Sequence, residues 1–326
     1  MERQTISHFF YSNNLLKNQL GFTLLEMLVV VFILSGIALM TVSFTSNADD
    51  QFRFDNTRER LNQIRTVVVG RTDQTVNGGP VVGGFVADIG RLPNNLSELV
   101  ASGTLPVWGF ATTTGLWAGW RGPYLQTRAE QSSNLPAFRD DWGNIATSTA
   151  EDTLNYGWRV TVDSPAGTMN VVSLGLDGAV GGTGYSADYP SASSSPLVSR
   201  DDHQINLKGW LVTVKFINPA GGDVSLPATS TSLMVRFFYP QDGVSSSTDS
   251  LPATLSPVSN GASAPLTFQF NPSTDQWVPW GLRALGVVTD EATPVPFPTP
   301  DPNPKRLITV IPRAQLIIGE VDWRLE

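Results

Sequence analysis

One carboxylate lies inside an apolar stretch: Gly21-Phe22-Thr23-Leu24-Leu25-Glu26-Met27 opens a run over residues 22–44 that is otherwise nearly all apolar. An unpaired carboxylate in hydrocarbon costs several kcal/mol, so Glu26 needs a cationic or hydrogen-bonding partner inside a membrane or an assembled helix bundle. A free amine on Phe22 of a neighbouring molecule would serve. A second group of oxygen ligands lies at 173–189 (SLGLDGAVGGTGYSADY), where glycines allow sharp turns around Asp177 and Asp188. Carboxylates and carbonyls brought together in this way suit a hard cation that takes six to eight oxygens. An Asp-Gly turn in a plain hairpin loop is the competing reading.

Other chemistries are poorly supplied. The chain has no cysteine, so neither disulfides nor thiolate metal sites are available. Its histidines are His8 and His203, too few for imidazole catalysis or zinc binding. No nucleophile–base spacing stands out, and we read the chain as a non-enzyme. A formal net charge of -8 without a clustered basic surface argues against nucleic acid as a partner.

These groups need elements to position them. At roughly 1.5 Å per residue, 22–44 is long enough to cross a bilayer core of about 30 Å, which predicts a transmembrane helix. A polar leader precedes it, the reverse of a secretory signal peptide. Arg3 and Lys17 before the run, and Asp49 and Asp50 after it, favour a cytoplasmic N-terminus and an exported remainder. The helix continues to about residue 72, with Leu61, Ile64 and Val68 at helical spacing between Arg58, Glu59 and Arg65.

The N-terminal string resembles the type IV pilin and pseudopilin superfamily, through Gly21, Phe22 and Glu26. The resemblance implies that a prepilin peptidase cuts after Gly21 and methylates Phe22, and that Glu26 complements the N-terminus of an adjacent subunit. The 173–189 segment resembles the calcium loop of the major pseudopilin of type II secretion. That resemblance implies bound calcium, with Asp177 and Asp188 as carboxylate ligands and Leu174 and Ala179 as carbonyl ligands. Thr183 stands where that family often has Glu, and Pro190 follows Tyr189, so the ligand charge is two. Gly122-Pro123-Tyr124-Leu125 and Asp141-Trp142-Gly143-Asn144 carry the likeness across roughly 22–190, as structural segments.

The expected organisation is α+β. A leader (1–21) precedes the N-terminal helix (22–72, transmembrane over 22–44). A pseudopilin-like α+β domain with an antiparallel sheet follows (73–190), then a linker (191–200) and a C-terminal β-sandwich (201–326). Within the middle domain a short helix is expected at 94–101, capped by Asn94 or Asn95, and strands at 156–162 and 170–174. Short apolar runs at 210–217, 233–239, 266–270, 282–288, 307–311, 316–318 and 321–325 suggest the sandwich, with a Pro-rich connection at 293–304. Trp108, Trp117 and Trp120 are read mainly as core.

The expected function is a structural subunit of a type II secretion pseudopilus or type IV pilus-like filament. Its partners would be a prepilin peptidase, other pilin-type subunits and an inner-membrane assembly platform. It would be single-pass in the inner membrane, with its later domains periplasmic or in a surface filament. The alternative is a minor or tip pilin displaying an adhesive sandwich. Co-expression with a prepilin peptidase should remove residues 1–21 and leave methylated Phe22; an intact mass that retains the leader would refute this.

Overall fold

The computed structural model describes residues 23–71, 74–76, 79–129, 136–191, 193–221, 224–313, 316 and 318–326. It is a mixed α+β protein in which strands predominate. Gly21 and Phe22 lie outside the described residues.

Helix α1 runs over Leu24–Val69. Thr23 caps it: its Oγ1 accepts from the Glu26 N–H at 3.2 Å and its carbonyl from the Met27 N–H at 3.1 Å. Compactness divides the chain into two units, one ending at Gln51 and one running from Phe52 to Glu326. In the first unit the side chains from Leu24 to Met40 are exposed, Leu24 by 85% and Phe32 by 78%. Part of the membrane span expected over 22–44 lies outside the described residues. Among the described residues no helix is long and apolar enough to cross a membrane. Phe22 and the side chains of 41–47 lie outside the described residues, so the apolar run described in full ends at Met40.

In the second unit α1 becomes a one-faced helix. Thr57, Leu61, Ile64 and Val68 are buried, while Arg58 and Glu59 are exposed. Burial of each aliphatic side chain contributes about 1.5–3 kcal/mol. The helix ends at Gly70, whose φ of 86° is the left-handed conformation glycine tolerates.

Helix α2, Phe85–Ile89, is buried throughout. The helix expected over 94–101 is a single 3-10 turn, Leu96–Leu99, and the Asn95 side chain caps it by accepting from the Glu98 N–H at 3.2 Å. Helix α3, Thr149–Asn155, is capped by Ser148. It ends at Tyr156 and Gly157, with φ of 53° and 79°. Those left-handed residues cannot be extended, so the strand expected from 156 starts at Arg159. Arg159–Asp163 pairs antiparallel with Thr168–Val172.

Within the stretch read as a linker, Val198 is buried and bridges Met169 in both directions, at 2.9 and 3.1 Å. Ser199 then forms a capping box with Asp202 at the start of helix α4, Arg200–His203. Across residue 200, where the sequence suggested a module boundary, the chain stays within the unit running from Phe52 to Glu326.

The later residues form two larger sheets. In one, Leu211–Ile217 lies between Ser263–Gln269, antiparallel, and Val321–Arg324, parallel. In the other the order is Val244–Asp249, Thr231–Gln241, Gly281–Thr289, Arg306–Val310, all antiparallel, with Ala253–Leu255 also paired to Thr231–Gln241. Leu211–Ile217 buries alternate residues, as period two requires. The run at 316–318 forms no strand at Leu316 or Ile318; instead the Leu316 carbonyl accepts from Trp210 Nε1 at 3.0 Å.

Gly281–Thr289 is buried at every position except Leu282, so both of its faces are covered. One face joins the core that includes Ile64 of α1. On the other, Leu116 packs with Phe238 and Ala284. The buried Arg283 guanidinium donates to the Ala87 carbonyl of α2 at 3.3 and 3.4 Å. Arg283 also donates to the Pro279 and Leu282 carbonyls at 2.9 and 2.8 Å. Burial pushes its pKa down to about 9, which leaves it charged at neutral pH. The neighbouring Asp88 is raised above the usual carboxylate range by burial, although Arg121 and Tyr124 contact it at 3.0 and 2.9 Å.

The α1 terminus is fitted tightly to this assembly: a Cβ on Gly70 would lie 2.0 Å from the Gly83 carbonyl oxygen and 2.6 Å from the Trp280 ring. Gly70→Ala should therefore lower the unfolding free energy by about 2–4 kcal/mol. Gly103→Ala should cost only about 1 kcal/mol, because its φ is 53° and nothing lies within 4 Å. Equal losses in urea titrations of the two variants would contradict this packing.

Candidate functional site

Glu26 is exposed in the first turn of α1, three residues after the capping Thr23. Thr23-Leu24-Leu25-Glu26 is the sequence of a capping box, and a carboxylate in a first turn also favours the helix dipole. The sequence reading did not note this first-turn placement of Glu26. It remains the one acidic residue among exposed apolar neighbours from Leu24 to Met40.

The 173–189 loop is closed at its base by Ser173 and Tyr189, whose backbones pair at 2.8 and 3.0 Å. Gly175, Gly178, Gly181, Gly182 and Gly184 all have positive φ. At Gly182 a side chain would collide with the Ser186 carbonyl at 2.2 Å. The loop therefore holds Asp177 and Asp188 in one turn-rich structure. Asp177 is exposed and its Oδ1 accepts from the Ala179 N–H at 3.0 Å. Asp188 accepts from the Gly181 N–H at 3.1 Å through Oδ1 and from Arg159 Nη2 at 3.0 Å through Oδ2. Leu174 is half-buried and Ala179 exposed. Among the described residues no group of three or more His, Cys, Asp or Glu side chains could hold a metal. A cation here would draw on two carboxylates plus neutral oxygens. That donor set suits a hard ion such as calcium, and Asp188 already faces a guanidinium.

A buried polar knot supports the loop from below. Asp140 Oδ2 accepts from Ser173 Oγ at 2.5 Å and from Asn144 Nδ2 at 2.7 Å, and its Oδ1 accepts from the Asn144 N–H at 3.0 Å. Asn144 Nδ2 also reaches the Gly175 carbonyl at 2.9 Å. Helix α1 grips the same segment. The Thr57 hydroxyl accepts from the Asp141 N–H at 3.1 Å, Arg60 pairs with Asp141 at 2.8 Å, and Asn56 donates to it at 3.1 Å. Phe54 contacts the loop itself, with ring centroids 5.0 Å from Tyr189 and 6.2 Å from Tyr185.

Elsewhere, His203 is buried with Nε2 3.0 Å from the Gly167 carbonyl, and burial lowers its pKa. Trp120 donates to the Glu98 carbonyl at 2.8 Å, as a core residue would. Trp117 instead is half-exposed and stacks on Trp108 at 5.7 Å.

Two comparisons bear on these features. Residues 16–42 match the family model described as the prokaryotic N-terminal methylation motif. The chain is also 27% identical over 170 residues to the type II secretion system core protein G of Xanthomonas campestris pv. campestris, which covers 87% of that relative and 52% of this chain. Both findings support a likeness to the pseudopilin superfamily. No solved structure matches it. The matched motif takes in Gly21, Phe22 and Glu26.

The sequence reading did not identify Asp140, Asn144 and Arg159 as supports of the loop. The Asp141-to-Asn144 string was noted as structural, whereas nothing in the type or spacing of Arg159 signalled its partner. Next to the knot, Arg139 clamps Asp152 at 2.7 and 2.6 Å, and the Ala146 N–H adds a bond at 2.9 Å. The Arg139 hydrogen bonds hold the Asp152 carboxyl below the usual carboxylate range. A depressed carboxylate contributes stability above its unfolded pKa of about 3.9 and loses it as pH falls through the folded value. Asp152→Asn should therefore lower stability by about 1 kcal/mol at pH 7 and by progressively less below about pH 4. A cost that does not change with pH would contradict the pairing.

Proposed function

We propose that this chain is a structural subunit of a type II secretion pseudopilus or a related type IV pilus-like filament, assembled through α1. The observation that carries the reading is the matched N-terminal motif, with Glu26 as an exposed charge in an exposed apolar helix. Such a surface needs lipid before assembly and neighbouring helices after it. A prepilin peptidase would release the Phe22 amine, and the Glu26 carboxylate of one subunit would pair with that amine on the next. Before assembly the 22–44 helix would anchor the subunit in the inner membrane, N-terminus cytoplasmic, with the Phe52–Glu326 unit in the periplasm. An inner-membrane platform would extract it into the filament.

The 173–189 loop would take calcium, with Asp177 and Asp188 supplying carboxylate oxygens and Leu174 and Ala179 carbonyls. Bound there, the ion would fix the loop against Phe54 and hence against α1. The two later sheets would form the layers of a β-sandwich borne by the filament.

Glu26→Gln separates the two roles of this residue, since Gln also serves in a capping box. The variant should be processed normally, yet its yield in sheared filaments should fall at least about tenfold, the effect of losing roughly 1.4 kcal/mol per subunit contact. Wild-type filament yield from Glu26→Gln would sink the charge-pairing role.

A further inference from the structure

The loop assigned above to calcium already faces a cation. We infer that Arg159 is the resident counter-charge of the 173–189 loop, closing it without metal and making its calcium affinity weaker than two free carboxylates would give. The inference rests on the calcium reading of Asp177 and Asp188.

The hairpin register places Arg159. It opens its strand opposite Val172, so the adjoining residue Ser173 starts the loop and pairs with Tyr189. Asp188, next to Tyr189, is thereby brought beside the guanidinium, with Nη2 to Oδ2 at 3.0 Å. The second oxygen of the same carboxylate accepts from the Gly181 N–H at 3.1 Å. One carboxylate thus ties the strand on one side to the glycine-rich turn on the other. That is the cross-link a bound ion would make, and in a chain without cysteine no disulfide replaces it.

The pair is partly sheltered, with side-chain exposures of 37% for Arg159 and 10% for Asp188, so solvent ions screen it incompletely. A divalent ion binding Asp188 oxygen at about 2.3–2.6 Å would lie within roughly 6 Å of this guanidinium. Like charges that close oppose each other, so calcium must either bind weakly or drive Arg159 out to solvent. The exposure of Arg159 leaves the second route open. The loop then has two closed forms, one held by arginine and one by calcium, and the two cations compete.

Thermal melts of the full-length chain in detergent micelles, across a calcium series and in chelator, test this. Arg159→Gln should melt several degrees below wild type in chelator, and calcium should restore it. Its half-saturating calcium should be at least about tenfold lower than that of wild type. Arg159→Lys, which keeps the charge, should behave as wild type, and Asp177→Ala should abolish the calcium response. If wild type ignores calcium while Arg159→Gln responds, the inference stands and calcium occupancy of the native loop is lost. If wild type and Arg159→Gln respond to calcium alike, the inference falls and the calcium reading survives. If neither responds, both fall. An Arg159→Gln chain that stays unfolded even in calcium also overturns the inference, because the ion would not then substitute for the guanidinium.

Discussion

The structure of the folded unit depends on one stripe of α1. Thr57, Leu61, Ile64 and Val68 follow the helical period and are buried against the segments that pack after the helix. The stripe is mostly aliphatic, but its first member is a threonine whose hydroxyl holds the Asp141 amide. Hydrophobic burial therefore fixes how deeply the helix sits, and the polar contacts of Thr57, Arg60 and Asn56 fix its rotation and register against residues 139–141. Non-directional burial could not supply that register.

Much of this was legible in the sequence, for identifiable reasons. The helix and its buried face follow from period, whereas its expected end at about residue 72 overran the left-handed Gly70. The Asn95 cap and the strands around Val214, Phe237, Val287 and Val310 follow from side-chain type. Strands were missed where that signal is absent: Val244–Asp249 is polar, and only the turn before it, Asp242-Gly243 with φ of 51° and 77°, marks a hairpin. The start of the strand at Arg159 depended on two left-handed residues before it. At the candidate site the carboxylates could be named, but their partners could not. Ion pairs such as Arg159 with Asp188 join residues far apart in sequence, and no local pattern encodes them.

The junction between the segments before and after residue 200 follows the same logic with charge. Arg283 is buried on a central strand and donates to the carbonyl of Ala87 in α2. Asp88, the next residue, is buried against Arg121 and Tyr124. Buried charges are costly, and apolar replacements often stabilise a fold, so this pair is better understood as specifying a register than as adding net stability. The short α2 is too small to fix its own orientation by packing alone. Directional bonds from Arg283, and from the Gly243 amide to the Ile89 carbonyl at 2.9 Å, do so.

The same arrangement explains why a loop chemistry could matter to a filament helix. Phe54 on α1 rests on Tyr185 and Tyr189, the aromatic residues of the 173–189 loop. The Asp140–Asn144 knot ties the base of that loop to the residues α1 grips through Thr57 and Arg60. Any cation that closes the loop, guanidinium or metal, therefore acts on a surface in direct contact with α1. Loops are ordinarily the least stable parts of a fold, and a helix leaning on an open loop would lose one side of its support. Closing the loop electrostatically removes that weakness without a covalent link, at a point of the chain where α1 leaves its exposed apolar stretch and enters the core.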